Sequence, residues 1–154
     1  MKKKYYIAYG SNLNVHQMAF RCPGATIAGI GTLQDWQLVF RGSKTGSYLT
    51  IEPEAGASVP VGIWEITDQD EQALDRYEGF PHFYYKRMLR LMITNYLTGE
   101  TEDVDAMVYI MHEDRPLGAP TLAYVQTCLD GCMDFYLDTE PLMEAVRRAR
   151  KEAV

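Results

Sequence analysis

The sequence predicts one α+β domain over residues 1–154, in which helices flank an antiparallel or mixed sheet or barrel. Three observations support this prediction. The length suits a single domain that buries its own core without a disulfide or metal. Apolar, β-branched and aromatic runs recur between residues 5 and 111. Most of these runs follow one another directly, which favours antiparallel pairing over a doubly wound parallel sheet.

The chain begins with a predicted strand, a polar turn and a short helix. Tyr5–Tyr9 is an apolar, aromatic run that ends at Gly-Ser-Asn, a pattern typical of a buried strand that enters a turn. Asn14 precedes Gln17 by three residues, which predicts a capping box at the start of a helix that continues through Phe20.

Extended runs dominate the middle of the chain, and their β-branched and aromatic content predicts about six strands in all. Gly29 and Gly31 lie among these runs and predict bends or bulges. Leu97–Glu100 reads Leu-Thr-Gly-Glu, which indicates a hairpin turn before the last strand. The predicted runs are Ala25–Leu33, Trp36–Arg41, Tyr48–Glu52, Val59–Thr67, Tyr85–Leu97 and Val104–Met111.

Helices are predicted at three later places. Thr67 and Asp68 are favourable N-caps for the first of them, and Gly79 suits the position just after its end. Apolar residues at helical spacing within Leu122–Tyr136 predict a second helix of about 15 residues. Thr139 and Pro141 are typical of the start of a third.

The charge balance and the apolar runs exclude several classes of partner. The chain has 15 Lys and Arg against 21 Asp and Glu, a formal net charge of -6, whereas a surface that binds nucleic acid needs clustered positive charge. No apolar run approaches the roughly 20 residues of a membrane span. The basic start at Lys2–Lys4 precedes an apolar stretch too short for a signal peptide. We therefore expect no nucleic-acid partner, no membrane segment and no export.

The three cysteines predict a reducing compartment. Cys22, Cys128 and Cys132 are an odd number without a paired framework, which favours core thiols in a cytoplasmic protein over disulfides in a secreted one. The alternative is a metal site in which Cys128 and Cys132 join His16 or His112. The apolar neighbours of both cysteines favour packing over metal binding.

The turn at Gly10–Asn12 is the first candidate site. Small polar residues between a strand and a helix direct several backbone N–H groups into one space, which forms a nest for an anion. The longer glycine pattern and the lysine of a phosphate loop are missing, so a carboxylate or an oxyanion fits better than a nucleotide. The alternative is an ordinary turn without a ligand.

Glu78 is the second candidate. It falls in the last turn of the helix that ends at Gly79, where the helix dipole disfavours an anion. Aromatic residues surround it in sequence, and they would desolvate the carboxyl group and raise its pKa toward neutrality. Such a group suits a general base and acid. The alternatives are a surface glutamate at a frayed helix end, and His82 as the functional group, although nothing in the sequence pairs with that histidine.

Tyrosine is the third notable feature, with 11 Tyr against 5 Phe and 2 Trp. Buried tyrosine hydroxyl groups need hydrogen-bond partners. The excess therefore indicates either core packing or a polar pocket.

Several motifs recur in one known family in the same order. The matching segments are Tyr9–Leu13, Leu33–Trp36, Gly62–Trp64, Leu74–Asp75, Glu78–Gly79, Tyr85, Tyr109, Pro120–Tyr124 and Gly131. On these residues the chain resembles the gamma-glutamylcyclotransferases and their gamma-glutamylamine cyclotransferase relatives, over nearly its whole length.

The resemblance implies a mixed, mostly antiparallel six-stranded β-barrel with flanking α-helices. It also implies a 5-oxoproline-forming enzyme, an acyltransferase or lyase that acts on a small γ-glutamyl amino acid or amine. In this chemistry the substrate's own α-amine attacks its γ-carbonyl, so no cofactor, metal or enzyme nucleophile is expected. The leaving amine and the oligomeric state stay open.

The same resemblance assigns roles to particular residues. Glu78 is expected to take a proton from the α-ammonium group and to return one to the leaving amine. The nest, now with Leu13, is expected to bind the α-carboxylate or the developing oxyanion. Arg87 could pair with a carboxylate, or could be an exposed strand arginine. The expected substrate-binding residues are Tyr9, Gly10, Ser11, Asn12, Leu13, Tyr85 and Tyr124. Tyr5 or Tyr6, Tyr77 and Tyr136 are expected to serve packing instead.

Three other functions remain open from the sequence. The pocket could bind a γ-glutamyl or carboxylate ligand without turnover, or the chain could be an interaction domain. A related enzyme could instead remove a γ-glutamyl protecting group from a small natural product. The position of Glu78 favours catalysis, because a second negative charge would weaken simple binding of an anion.

Overall fold

The computed structural model of the protein describes residues 3–43 and 46–152, so Lys2 and the outermost residues of the predicted domain lie outside it. The elements in chain order are β1 (Lys4–Ala8), a 3₁₀ turn (Ser11–Leu13), α1 (Val15–Arg21), β2 (Thr26–Arg41), β3 (Tyr48–Ile66), α2 (Asp68–Glu78), β4 (Tyr84–Asn95), β5 (Thr101–Met111), α3 (Leu122–Asp134) and α4 (Glu140–Glu152).

The strands form a closed barrel in the order β1-β3-β2-β4-β5. Neighbouring strands run antiparallel except at the closure, where β1 pairs in parallel with β5. The short parallel pairing joins Tyr5 to Ala106 and Tyr6 to Met107. The prediction of a mixed, mostly antiparallel barrel is confirmed, and β4 and β5 form the predicted hairpin.

The barrel has five strands, so the predicted number of six is wrong. Ala25–Leu33 and Trp36–Arg41 form one strand, β2, and Tyr48–Glu52 and Val59–Thr67 lie largely in β3. The break between the first two is a bulge at Asp35, whose φ of 65° bends the strand, and pairing with β3 resumes beyond it. A polar residue inside a long bent strand gives the same sequence signal as a turn between two short strands.

The predicted helices are confirmed, but only half of the predicted capping box forms at the start of α1, because the Asn14 N–H group donates to the Ser11 carbonyl and not to the Gln17 side chain. The side chain of Asn14 accepts a hydrogen bond of 3.0 Å from the Gln17 N–H group at the start of α1. A capping box between Thr67 and Asp70 begins α2, and Gly79 ends it with a φ of 64°. α3 packs against the 3₁₀ turn and α4 against β2.

The cysteines are core thiols, as predicted. Cys22, Cys128 and Cys132 are all buried and none forms a disulfide. Burial raises the pKa of the first two to about 12 and that of Cys132 to about 11, so the thiols stay protonated near neutrality.

Within residues 3–43 and 46–152, no cluster of three or more His, Cys, Asp or Glu is placed to hold a metal ion. None of the helices in this part is long and apolar enough to cross a membrane.

Candidate active site

A cavity of about 330 Å³ lies where the end of α2 approaches the turn after β1. Gly10, Ser11 and Asn12 line it from the turn, and Arg76, Glu78 and Gly79 line it from α2 and its end. Much of the remaining lining is aromatic. The tyrosines that line it, here called the cavity tyrosines, are Tyr6, Tyr9, Tyr48, Tyr77, Tyr84, Tyr109 and Tyr124.

Glu78 supplies the carboxyl group of the cavity. The left-handed residue Gly79 ends α2 directly after it, so the half-buried side chain sits in the last turn of the helix, as predicted. One carboxylate oxygen, Oε1, accepts a hydrogen bond of 3.1 Å from Asn12 Nδ2. Burial raises the pKa of Glu78 to about 7, although the nearby Arg21 and the Asn12 hydrogen bond act in the opposite direction. The carboxyl group can therefore hold or release a proton near neutral pH.

The turn after β1 is a 3₁₀ turn over Ser11–Leu13, with Gly10 at its N-cap. Its internal hydrogen bonds run from the Leu13 N–H group to the Gly10 carbonyl and from the Asn14 N–H group to the Ser11 carbonyl, both 3.0 Å. Among the residues that the structure describes, no hydrogen bond is made by the N–H groups of Ser11 and Asn12. These two donors belong to residues that line the cavity.

Asn12 is the most heavily bonded residue of the site. Its Nδ2 donates to the hydroxyl of Tyr6 over 2.8 Å as well as to Glu78. Its Oδ1 accepts from Arg21 Nη1 over 2.6 Å, and its backbone carbonyl accepts from the Trp64 indole N–H over 2.8 Å. Tyr6 and Tyr77 line the cavity, so the expectation that they serve only packing is wrong. Arg21 was not singled out from the sequence, because an arginine at the end of a short helix carries no local signal of a site.

Three cavity tyrosines are bonded to the backbone through their hydroxyl groups. Tyr9 donates to the carbonyl of Tyr109 over 2.7 Å. The hydroxyl of Tyr124 accepts from the Leu49 N–H group over 3.1 Å, and Tyr84 donates to the Leu49 carbonyl over 2.8 Å. Burial raises the pKa of Tyr9, Tyr84 and Tyr124 well above the usual value, so these hydroxyl groups remain neutral donors and acceptors.

The structure does not bring Tyr85 to the cavity. Its hydroxyl donates to Glu113 over 2.6 Å, and its ring lies 5.1 Å from that of His112. Side chains alternate along a strand, so the preceding residue, Tyr84, points to the cavity instead. The register of β4 could not be fixed from two adjacent tyrosines.

Three other candidates also lie elsewhere. Leu13 is fully buried in the core, so it supports the turn from behind rather than lining the cavity. Arg87 is exposed and its guanidinium group lies 5.4 Å from the centre of the Trp36 ring, in agreement with the interpretation as an exposed strand arginine. His82 is exposed and does not line the cavity.

Known proteins with a similar sequence share one description. A family model, "Gamma-glutamyl cyclotransferase, AIG2-like", matches residues 6–126. A gamma-glutamylcyclotransferase from Homo sapiens is 29% identical over 120 residues, which are 72% of this chain and 62% of that protein. One from Bos taurus is 33% identical over 81 residues, which are 48% of this chain and 43% of that protein. The matched stretch is thus less than two thirds of the length of either relative.

Solved structures agree with the barrel described above. A structure named gamma-glutamyl cyclotransferase has a TM-score of 0.79 at 22% identity and covers 96% of this chain and 88% of its own. An AIG2-like protein from Mus musculus has a TM-score of 0.59 at 24% identity, over 75% and 82% of the two chains. The TM-scores show a shared fold, and at identities below 25% they show the fold alone. The family model covers most of the sequence and confirms the resemblance. The chain belongs to the gamma-glutamyl cyclotransferase, AIG2-like family.

Proposed function

We propose that the protein is a cyclotransferase that converts a γ-glutamyl amino acid or γ-glutamyl amine into 5-oxoproline and the free amine. The observation that supports this most strongly is the carboxyl group of Glu78, which has a pKa of about 7 and lies in a cavity beside amide and hydroxyl donors. A simple binding site for an anionic ligand would gain nothing from a second carboxylate there.

The γ-glutamyl group would bind between the turn and the cavity tyrosines. Its α-carboxylate would accept hydrogen bonds from the N–H groups of Ser11 and Asn12, which have no other acceptor among the described residues. Tyr9 and Tyr124 line the same space and would contact the substrate through their hydroxyl groups. Leu13 would act indirectly, by holding the turn against the core.

The reaction moves two protons from the α-nitrogen to the leaving nitrogen, and Glu78 carries them one after the other. The ionised carboxyl group accepts a proton from the substrate α-ammonium group, whose reference pKa is about 7.7 to 8.0. The freed α-nitrogen then attacks the γ-carbonyl carbon, so a ring C–N bond forms and the C–N bond to the leaving amine breaks. Glu78 gives this proton to the leaving nitrogen, takes the second proton that the ring nitrogen loses on becoming the lactam N–H, and passes it to the departing amine, which leaves as its ammonium form. No water is consumed and no group is oxidised or reduced.

The fold contributes by confining the substrate. The ring closure is intramolecular, so holding the α-amine against the γ-carbonyl carbon lowers much of the barrier. Donors already fixed by the fold would stabilise the charge that develops on the carbonyl oxygen without reorganising.

Three buried thiols without a disulfide support the further proposal that the protein works in the cytoplasm.

The proposed activity is tested by incubating the purified protein with γ-glutamyl-alanine, γ-glutamyl-ε-lysine and glutathione in ¹⁸O-labelled water. We expect unlabelled 5-oxoproline by mass spectrometry from at least one substrate, and the best substrate identifies the class of leaving amine. Hydrolysis would instead give glutamate that carries ¹⁸O. Labelled glutamate as the main product, or no product from a panel of γ-glutamyl compounds, would contradict the proposal.

A further inference from the structure

We infer that Arg21 is a positioning residue for Glu78, which acts by fixing the side-chain amide of Asn12 so that its nitrogen faces the carboxylate. The inference rests on the proposed function, in which Glu78 moves the proton. Arg21 itself does not line the cavity, so it would not touch the substrate.

The side-chain amide of Asn12 has two chemically different ends. One end is an acceptor and the other a donor, and the group can rotate to exchange them. A guanidinium group only donates, so Arg21 Nη1, 2.6 Å away, requires the Asn12 oxygen on its side. The nitrogen then faces Glu78 Oε1 over 3.1 Å. The Tyr6 hydroxyl on the same side can donate or accept, so it does not decide the orientation.

Arg21 is itself held in place from two sides. Its Nη2 donates to Gln17 Oε1, one turn earlier in α1, over 2.6 Å. Its guanidinium group lies 3.6 Å from the centre of the Tyr77 ring, at cation–π distance. Tyr77 immediately precedes Glu78 in α2. Arg21 therefore contacts two neighbours of Glu78: the Asn12 amide, which donates to the Glu78 carboxylate, and the ring of Tyr77, which precedes Glu78 in the chain.

The charge of Arg21 acts on the same carboxyl group. Besides Glu78, the ionisable groups that line the cavity are the cavity tyrosines and Arg76, at the exposed end of α2. The tyrosines come from β1 and the residue after it, and from β3, α2, β4, β5 and α3. Arg21 opposes the effect of burial on the Glu78 pKa. Its removal would favour the protonated carboxyl group, which cannot accept the α-ammonium proton.

Three variants separate this role from a merely structural one. Arg21→Met keeps the apolar stem but removes the charge and the donors, while Arg21→Lys keeps the charge without the fork. Arg87→Met is the control, because that arginine is exposed and lies outside the cavity. We expect kcat for Arg21→Met to fall about tenfold or more with a smaller change in KM, Arg21→Lys to recover part of the loss, and the control to match the wild type.

A titration gives a readout that does not depend on turnover. In ¹³C NMR of the Glu78 carboxyl carbon, we expect the pKa to rise by about one unit in Arg21→Met and to stay unchanged in Arg87→Met. If the wild type made no 5-oxoproline, the proposed function would fail, whereas this titration would still measure the link from Arg21 to Glu78. Should Arg21→Met not fold, Arg21→Lys is titrated instead, with a smaller expected change.

A double-variant cycle tests the route through Asn12. In an Asn12→Ala background, Arg21→Met should lower kcat by a smaller factor than in the wild type, because the amide that Arg21 orients is already gone and only its charge still acts on Glu78. Equal losses in both backgrounds would overturn the inference. An unshifted Glu78 titration together with wild-type kcat in Arg21→Met would overturn it as well.

Discussion

The carboxyl group of Glu78 is held where burial opposes its ionisation, and this single residue gives the cavity its acid–base character. The Gly79 helix end and the aromatic neighbours predicted both its position and its raised pKa. The hydrogen bond from Arg21 to Asn12 could not be predicted, because no sequence pattern pairs these two residues. The orientation of Tyr84 and Tyr85 also escaped prediction, since a shift of one residue in register exchanges the two faces of a strand.

The two tyrosines provide a residue-scale prediction. Tyr84→Phe removes a buried hydroxyl that donates to the Leu49 carbonyl, so we expect it to destabilise the fold by about 1 to 2 kcal/mol and to lower the rate of 5-oxoproline release. Tyr85→Phe removes only the bond to Glu113 outside the cavity, and we expect stability within about 0.5 kcal/mol of the wild type and an unchanged rate. Urea denaturation and a product assay on both variants check this, and a slower Tyr85→Phe would contradict it.

At the scale of elements, α2 matters because its last turn carries Glu78. The capping box and the glycine that bound this helix are local patterns, so the sequence predicted both ends. Lys86 of β4 pairs with Glu71 over 2.7 Å and with Asp75 over 3.0 Å, and Tyr109 donates to Asp75 over 2.6 Å. These contacts hold α2 against the barrel, and they depend on the tertiary fold rather than on any local pattern.

The end of α2 provides the element-scale prediction. Gly79→Ala places a side chain at a φ of 64°, with its Cβ 3.2 Å from that of Phe83, so we expect a loss of about 1 kcal/mol in stability. Gly99→Ala is a matched control in the β4–β5 hairpin, because its φ of 75° is similar and its surroundings are open. Both variants should lose similar stability, but only Gly79→Ala should slow 5-oxoproline release. An equal effect on the rates of both would contradict the role given to this helix end.

At the scale of the whole molecule, the nest is fixed by packing between distant parts of the chain. A Cβ on Gly62 of β3 would lie 2.7 Å from Leu13 and 2.6 Å from the ring of Phe135. A Cβ on Gly131 of α3 would lie 2.6 Å from the Asn14 nitrogen. The turn is therefore clamped between the barrel and α3 where only glycine fits. Gly62 and Gly131 both belong to motifs noted in the sequence. Glycine is required at each position because another part of the chain packs closely against it, and only the assembled fold creates that contact.

The most direct test of the central claim is the rate of 5-oxoproline release by Glu78→Gln across pH. The glutamine keeps an oxygen that can accept from Asn12 but cannot take a proton, and Glu54→Gln on an exposed part of β3 is the control. For the wild type and the control, we expect the rate to fall as pH drops below about 7, since protonated Glu78 cannot accept the α-ammonium proton. Glu78→Gln should be slower by about 100-fold or more at pH 7 and above, with a smaller difference at lower pH, while remaining folded by circular dichroism. Release of 5-oxoproline by Glu78→Gln at the wild-type rate would contradict the assignment of Glu78 as the base.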